Sequence, residues 1–313
     1  MVNIAVDILG GDFAPQAVLD GVESVTPHLH NDTILHLVGP AEIVNAFISK
    51  NGSSKLKWIQ AEDAIGMDEH PVKALQQKKD STLSVGFTQM AQGKLDAFAS
   101  AGNSGAVMVG ALNFLKPVQD ITRPCVLSSF PRVAGGVNTL LDVGINVDAK
   151  PEQLVEFARL GTIYAREVLG VENHRVALLN SGGEAGKGSL LYQKAYTLLN
   201  DAKEITFAGN LEPRDFYHTD IDVTVCDGFV GNIFLKQAEG FYKIISERKI
   251  KDGYLDKFNY EEYGGSPVLG VNGNVILGHG VSGPQAIHNM ILTTEKVAQA
   301  KLARKIKKAI SNQ

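Results

Sequence analysis

Cysteine is scarce: Cys125 and Cys226 are the only two in 313 residues. They lie far apart, each inside an apolar run. No C-x-x-C pair exists, so neither a zinc site nor a disulfide framework is supported. Both are expected to be buried, reduced core residues, which fits a reducing compartment. Long hydrophobic runs are missing as well. The best candidate, residues 105–115, is about half the ~20 residues a transmembrane helix needs. Asp7 and Asp12 interrupt the N-terminal apolar stretch and no cationic region precedes it, so it does not read as a signal peptide. Charge of one sign is not in excess: 30 Lys and Arg against 34 Asp and Glu leave a net charge of -4. A general nucleic-acid binder would be basic, so no nucleic-acid partner is expected. The 8 histidines show no metal-ligand spacing, so no metal is expected. There is no low-complexity linker, no repeat of fixed period and no clean boundary. Residues 1–313 read as a single α/β domain, or as two intimate lobes divided near Pro151.

What is present is globular in character, with 44% apolar and 20% charged residues. Short apolar runs at 3–7, 34–38, 57–60, 96–100, 125–130, 139–143, 175–180, 205–208 and 223–226 read as strands. Longer amphipathic runs at 41–50, 83–92, 105–115, 152–169, 190–199, 231–248 and 284–308 read as helices. Such alternation predicts a three-layer α/β/α, Rossmann-like, mainly parallel sheet. Pro151 suits the first turn of the 152–169 helix.

The chemical signal lies where strands end. The first strand runs into Gly10-Gly11-Asp12. Another runs into Ala101-Gly102-Asn103-Ser104-Gly105. A third meets Ser181-Gly182-Gly183-Glu184-Ala185-Gly186-Lys187-Gly188, and a fourth meets Asp227-Gly228-Phe229-Val230-Gly231-Asn232. In an open α/β sheet such loops gather at the carboxyl edge of the strands, where ligands bind. Glycine allows close backbone approach, and helix N-termini offer free N–H groups, so several loops together suggest an anionic ligand. Each loop alone also reads as an ordinary tight turn.

Familiar motifs fail. A P-loop needs Gly-x-x-x-x-Gly-Lys-Ser/Thr, but Ser181 replaces its first glycine and Gly188 follows Lys187. Gly278-His279-Gly280-Val281-Ser282-Gly283 matches G-x-G-x-x-G, yet the chain ends in a basic helix without the next strand of a dinucleotide fold. Gly102-Asn103-Ser104-Gly105 lacks the spacing of a nucleophile elbow. With anion loops and a lysine but no protein nucleophile, the anionic substrate itself is the expected nucleophile.

Taken in order, the motifs resemble those of the acyl-ACP:phosphate acyltransferases, the PlsX family of phospholipid synthesis. Asp7-Ile8-Leu9-Gly10-Gly11-Asp12-Phe13-Ala14-Pro15 is similar to the family's opening Asp-Ala-Met-Gly-Gly-Asp-x-x-Pro. Ser100 to Ala106 matches Ser-Ala-Gly-Asn-Thr-Gly-Ala, with Ser104 for threonine. Asp142-Val143-Gly144-Ile145-Asn146 matches Asp-x-Gly-Ala-Asn. Glu184 and Lys187-Gly188 match Glu-x-x-Lys-Gly. Gly209-Asn210-Leu211-Glu212-Pro213-Arg214-Asp215, the 227–232 segment, Tyr263-Gly264-Gly265 and His279-Gly280 follow. The resemblance covers nearly the whole chain. One departure is sizeable: between Gly240 and Tyr263 the family carries a longer helical excursion with an apolar tip, where this chain is short and polar.

The resemblance implies an isocitrate/isopropylmalate-dehydrogenase-like fold and transfer of a long-chain acyl group from acyl carrier protein to inorganic phosphate, without cofactor. It implies a homodimer in the cytoplasm, with transient contact to the membrane or to a membrane glycerol-3-phosphate acyltransferase. Lys187 and Asn232 are the expected catalytic residues. Lys187 would grip phosphate, and Asn232 with nearby N–H groups would stabilise the oxyanion. Their plain readings are a solvated loop lysine and a helix cap. Gly10, Gly11, Asp12, Gly102, Asn103, Ser104, Gly105, Asn180, Glu184, Arg214, Asp227, Gly228, Gly231 and His279 are the expected binding residues. Ser104 and the amides after Gly102 would cradle phosphate, with Asn103 and Asn180 as further donors. Asp7, Asp12, Glu184 and Asp227 would fix Lys187, loop amides or Arg214, or one would take a proton from phosphate. Helices 105–115 and 231–241 are candidate walls of an acyl slot. Lys301, Arg304, Lys305, Lys307 and Lys308, beside the Leu302, Ile306 and Ile310 stripe, would dock acidic carrier protein, rest on anionic lipid, or simply form a packed helix. Alternatives are a phosphate acetyltransferase-like enzyme using acyl-CoA, a NAD-dependent dehydrogenase and a non-catalytic scaffold.

Overall fold

The computed structural model describes residues 1–311. These form two compact units: residues 1–118 with 260–307, and residues 119–259 with the remaining C-terminal residues. The chain leaves the first unit after Val118 and re-enters it at Tyr260. Pro151 therefore lies well inside the second unit and marks no division.

The first unit opens with β1 (Val2–Asp7), α1 (Gln16–Val25), β2 (Thr33–Gly39), α2 (Ala41–Asn51), β3 (Leu56–Gln60), α3 (Pro71–Gln77), α4 (Thr82–Ala91), β4 (Ala97–Ser100) and α5 (Ser104–Gly110). The second unit contains β5 (Cys125–Pro131), β6 (Val137–Leu141), α6 (Pro151–Glu167), β7 (Val176–Leu179), α7 (Leu190–Asp201), β8 (Phe207–Leu211), β9 (Val223–Val225) and α8 (Gly228–Glu247). The chain then adds α9 (Tyr260–Tyr263), β10 (Ser266–Leu269), β11 (Asn274–Leu277), α10 (Pro284–Gln299) and α11 (Leu302–Ser311).

Strand order in the first unit is β3-β2-β1-β4-β11-β10, and in the second β5-β6-β9-β7-β8. All pairs within the units are parallel except β10–β11 and β5–β6. The central strands are buried on both faces, as β4 and β7 show over their whole length. That is why they read as continuous apolar runs rather than as alternation.

Four expectations need correction. The run 284–308 is two helices, α10 and α11, broken where Lys301 takes a left-handed φ of 53°. The run 231–248 begins earlier, at Gly228, capped by Asp227. Helices α1 and α3 and the β10–β11 hairpin were not anticipated. Asn272-Gly273 between two apolar runs is the turn chemistry that marks such a hairpin. Finally, the 105–115 run is core rather than the wall of a slot: Ala106, Val107, Met108, Ala111 and Leu115 are all buried.

Candidate active site

In the first unit, three strand ends carry the expected residues. Asp7 ends β1 and is buried. Its Oδ1 accepts the Leu9 N–H at 3.0 Å. Its Oδ2 accepts the Ser100 hydroxyl at 2.8 Å, and Ser100 Oγ in turn accepts the Gly102 N–H at 3.0 Å. This chain of bonds ties the β1 loop to the β4 loop. Gly10 is required there, because a Cβ would lie 2.6 Å from Asp7 Oδ2 and 2.8 Å from the Gly102 nitrogen. The Asp12 N–H donates to the Gly280 carbonyl at 2.7 Å, bringing in the loop after β11 that holds His279. Asp12 carries its carboxylate into solvent, and His279 is half-buried.

Asn103 does not serve as a free donor. Its Oδ1 caps α5 through the Ala106 N–H at 3.0 Å. Its Nδ2 donates to the carbonyls of Gly66 at 3.0 Å, Met67 at 3.2 Å and Glu69 at 3.0 Å. The unanticipated 66–69 segment thus uses the amide that sequence offered to phosphate. Ser104, one residue on, is exposed and heads α5, where the first backbone N–H groups lack intrahelical partners. Among the described residues its hydroxyl meets no partner.

Burial pushes the Asp7 carboxyl above its ordinary value, against the pull of hydrogen bonds from Thr82, Ser100, Leu9 and Gly10. The folded value exceeds the unfolded one, so the proton favours the fold. That stabilisation is complete below the ordinary carboxylate range and is lost as pH rises through the raised value. Asp7→Asn, of equal size and always neutral, is expected to remove this loss. Melting temperatures of the two proteins, compared from about pH 4 to pH 7, should diverge in favour of the variant as pH rises. Parallel curves would mean Asp7 ionises normally.

In the second unit the site gathers at the ends of β6, β7 and β9. Asn180 follows β7. Its Nδ2 donates to the Lys187 carbonyl at 3.2 Å and to Asn210 Oδ1 at 3.1 Å, and its Oδ1 accepts the Ser181 N–H at 2.8 Å. Asn210 Nδ2 donates to the Glu184 carbonyl at 2.8 Å. Two asparagines therefore pin the 181–188 loop by its backbone and leave its side chains free. Lys187 is 51% exposed, and its nearest counter-charge is Glu184 Oε2 at 3.8 Å. Arg214 is exposed and donates to Glu212 Oε1 at 2.8 Å.

Asp227 is the cap of α8. Its Oδ1 accepts the Phe229 and Val230 N–H groups at 2.9 and 3.0 Å, and its Oδ2 accepts the Tyr192 hydroxyl at 2.6 Å. Burial, reinforced by Cys226 and Asp227, pushes the Tyr192 hydroxyl well up, so it stays a donor. The Gly228 N–H donates to the Asn146 carbonyl at 2.9 Å. The first amides of α8 thus already have protein partners, contrary to the expectation that they would meet an oxyanion.

Behind α8 stands Asp142, fully buried. Its Oδ1 accepts the Val126 N–H at 2.9 Å. Its Oδ2 accepts the backbone N–H groups of Ile145 and Asn146 at 3.1 and 2.6 Å, and Asn146 Nδ2 at 2.9 Å. Gly231 packs on this turn so closely that a Cβ would collide with the Asp142 carbonyl. The sequence reading quoted Asp142 as a motif residue but gave it no role, and it passed over Tyr192. Asn232 is exposed, makes no side-chain hydrogen bond among the described residues, and lies over Gly144. It is not a cap.

A cleft of about 810 Å³ opens between α7 and α8, lined by Asn180, Tyr192, Asp227, Arg214 and the α8 residues Val230, Ile233, Phe234 and Gln237. Neither Lys187 nor Asn232 lines it, although Gly188 beside Lys187 does. At 3.6 residues per turn, Asn232 is at least ~100° around α8 from each of those four positions. The expected residues thus form two groups, one per unit. Ser104 and Asn232 have no side-chain hydrogen bond among the described residues, and Lys187 has only its ion pair with Glu184; Asn103, Asn180 and Asp227 are structurally engaged. The C-terminal stripe is also settled: Leu302, Ile306 and Ile310 are buried, while Lys301, Arg304, Lys307 and Lys308 are exposed. That stripe cannot rest on lipid. No helix among the described residues is long and apolar enough to cross a membrane.

An open, mainly parallel sheet with glycine loops at its strand ends defines a Rossmann-like α/β enzyme class. Solved structures share this fold at low identity. EutD phosphotransacetylase from Staphylococcus aureus matches with a TM-score of 0.63 and 16% identity, over 96% of this chain and 94% of that one. 4-Hydroxythreonine-4-phosphate dehydrogenase from Klebsiella pneumoniae matches with a TM-score of 0.58 and 12% identity, over 96% and 98%. The family model described as "Fatty acid synthesis protein" matches residues 2–305. Phosphate acyltransferase from Halothermothrix orenii is 40% identical over 99% of this chain and 98% of its own, and that from Salinibacter ruber is 37% identical over the same shares. The chain belongs to this phosphate acyltransferase family of fatty acid synthesis proteins, the PlsX family its motifs resemble, and it is an acyltransferase.

Proposed function

We propose that the enzyme transfers a long-chain acyl group from acyl carrier protein to inorganic phosphate, forming acyl phosphate for phospholipid synthesis in the cytoplasm. The observation that carries this reading is the apolar flank of the cleft beside α8. Its volume lies within the ~300–1,000 Å³ of small-molecule sites. An acetyl group would leave most of it empty, whereas a long chain gains from burying each methylene there.

A phosphate oxygen attacks the thioester carbonyl carbon. The C–S bond then breaks, and the sulfur leaves with the electron pair as a thiolate that takes up a proton. An acyl-enzyme on cysteine is disfavoured, since both thiols are fully buried and burial pushes them well up. Lys187, held by its backbone and half-exposed at its head beside Glu184, supplies positive charge for phosphate. Asn232 donates to the oxyanion. Asp227 and Asn180 hold the loops that present these groups. The exposed bases of α11 offer acidic carrier protein a complementary surface.

The test is to incubate the protein with palmitoyl-ACP and phosphate, measuring thiol release and acyl phosphate. Palmitoyl-CoA and acetyl-CoA run alongside. Release only from acyl-ACP supports the proposal. Release from acetyl-CoA alone replaces it with the CoA-dependent reaction, and no release from any donor ends it. Lys187→Ala is expected to raise KM for phosphate roughly tenfold to hundredfold, the worth of one charge-assisted hydrogen bond. An unchanged KM would return Lys187 to a solvated loop residue.

A further inference from the structure

We infer that Tyr217 and Gln237 form a partition that sets the length of acyl chain the enzyme accepts; this rests on the acyl-transfer reading above. Two clefts of the second unit meet at these two side chains. The larger, of about 810 Å³, includes Asn180 and Asp227 and the apolar flank of α8. The smaller, of about 310 Å³, is lined by Phe241, Tyr254, Leu255 and Phe258. Tyr217 and Gln237 line both. Gln237 stands ten residues beyond Asp227, about 15 Å farther along the helix at 1.5 Å per residue. A chain entering beside Asp227 and following α8 therefore meets the partition at its far end.

The two halves of the partition differ in kind. Tyr217 is held by aromatic neighbours: its ring centroid is 5.0 Å from Phe258, 5.3 Å from Phe216 and 6.1 Å from Phe234. It is a fixed wall. Gln237 is exposed and has no side-chain hydrogen bond among the described residues, so its side chain is free to change rotamer. Its amide also makes the passage less favourable for methylenes than either cleft, because a chain pressed against it removes water from polar atoms without replacing their hydrogen bonds. The smaller cleft, largely apolar, continues the path along α8 beyond this pair.

Acyl-ACP donors of increasing saturated chain length, with phosphate, should show turnover falling beyond one length in the wild type. Tyr217→Ala joins the clefts and is expected to move that limit to longer chains by two carbons or more, each newly buried methylene contributing about fourfold. Gln237→Trp, at an exposed helix position that tolerates substitution, thickens the partition and is expected to move the limit to shorter chains. Equal loss at all lengths in both folded variants overturns the inference. A changed oligomeric mass for Gln237→Trp with no length effect also overturns it, since the groove is then a subunit contact. If the wild type forms no acyl phosphate from any donor, the transfer reading has failed on its own. Displacement of a fluorescent fatty acid by saturated fatty acids of graded length then decides the partition: opposite length shifts in the two variants support it, and unchanged profiles overturn it.

Discussion

Asn232→Ala is expected to lower kcat for acyl phosphate formation by roughly 10²–10³, about 2.7–4 kcal/mol, the usual cost of removing one oxyanion donor. The melting temperature should barely change. Asn232 is exposed, has no side-chain bond among the described residues, and is not the cap of α8, so truncation removes no hydrogen bond and only its packing over Gly144. A donor that acts only as charge develops alters kcat and kcat/KM together and leaves KM alone. Asn232→Asp should be at least as damaging, because a carboxylate accepts but cannot donate and would repel the oxyanion. The outcome also locates the chemistry. A full loss places the carbonyl on the Gly144 side of α8. A change below threefold would remove Asn232 from the mechanism and point to Arg214, which lines the cleft.

Asp142→Ala should be the most destabilising substitution of those proposed, costing roughly 3–5 kcal/mol, the scale of breaking a buried hydrogen-bond network that leaves several donors unmet. Its carboxylate receives four N–H donors, from Val126, Ile145 and Asn146 backbone and from the Asn146 side chain. The three backbone donors would be left without an acceptor in a buried site, while Asn146 Nδ2 keeps its bond to the Pro124 carbonyl; each unmet donor costs about 1–3 kcal/mol, not additively. A fall in melting temperature of about 10 °C is expected. Activity should fail with it, because the Gly231 contact and the Asn146 bond to Gly228 seat the start of α8 on this turn. Asp142→Asn keeps one acceptor and the volume, and should lose about half as much. A loss below about 1 kcal/mol in Asp142→Ala would show that water replaces the carboxylate.

Motif order was enough to name the family. The reason is that loops at strand ends need glycine for close backbone approach, and asparagine, serine and lysine for donors; these residue types survive as spelling. Parallel central strands were equally legible, since burial on both faces writes itself as an unbroken apolar run. Short elements escaped. Helix α3, seven residues long, and the four-residue strands β10 and β11 carry too few periods to announce themselves. Their existence depends on partners distant in sequence, as when β11 pairs with β4.

Which polar side chains are free could be decided only by the tertiary structure. Asn103, Asn180 and Asn232 are the same residue type, each at a glycine-rich loop, and sequence offers each as a donor. The fold engages the first with the 66–69 carbonyls and the second with the backbone of the Lys187 loop, and leaves the third unpaired. The same holds for the apolar runs. Residues 105–115 and the α8 segment look equivalent on paper, yet one is core and the other flanks an open cleft. Composition and spacing record what a side chain is able to do. Whether a donor or an apolar face is already satisfied depends on what long-range packing brings against it, and no local stretch of sequence contains that partner.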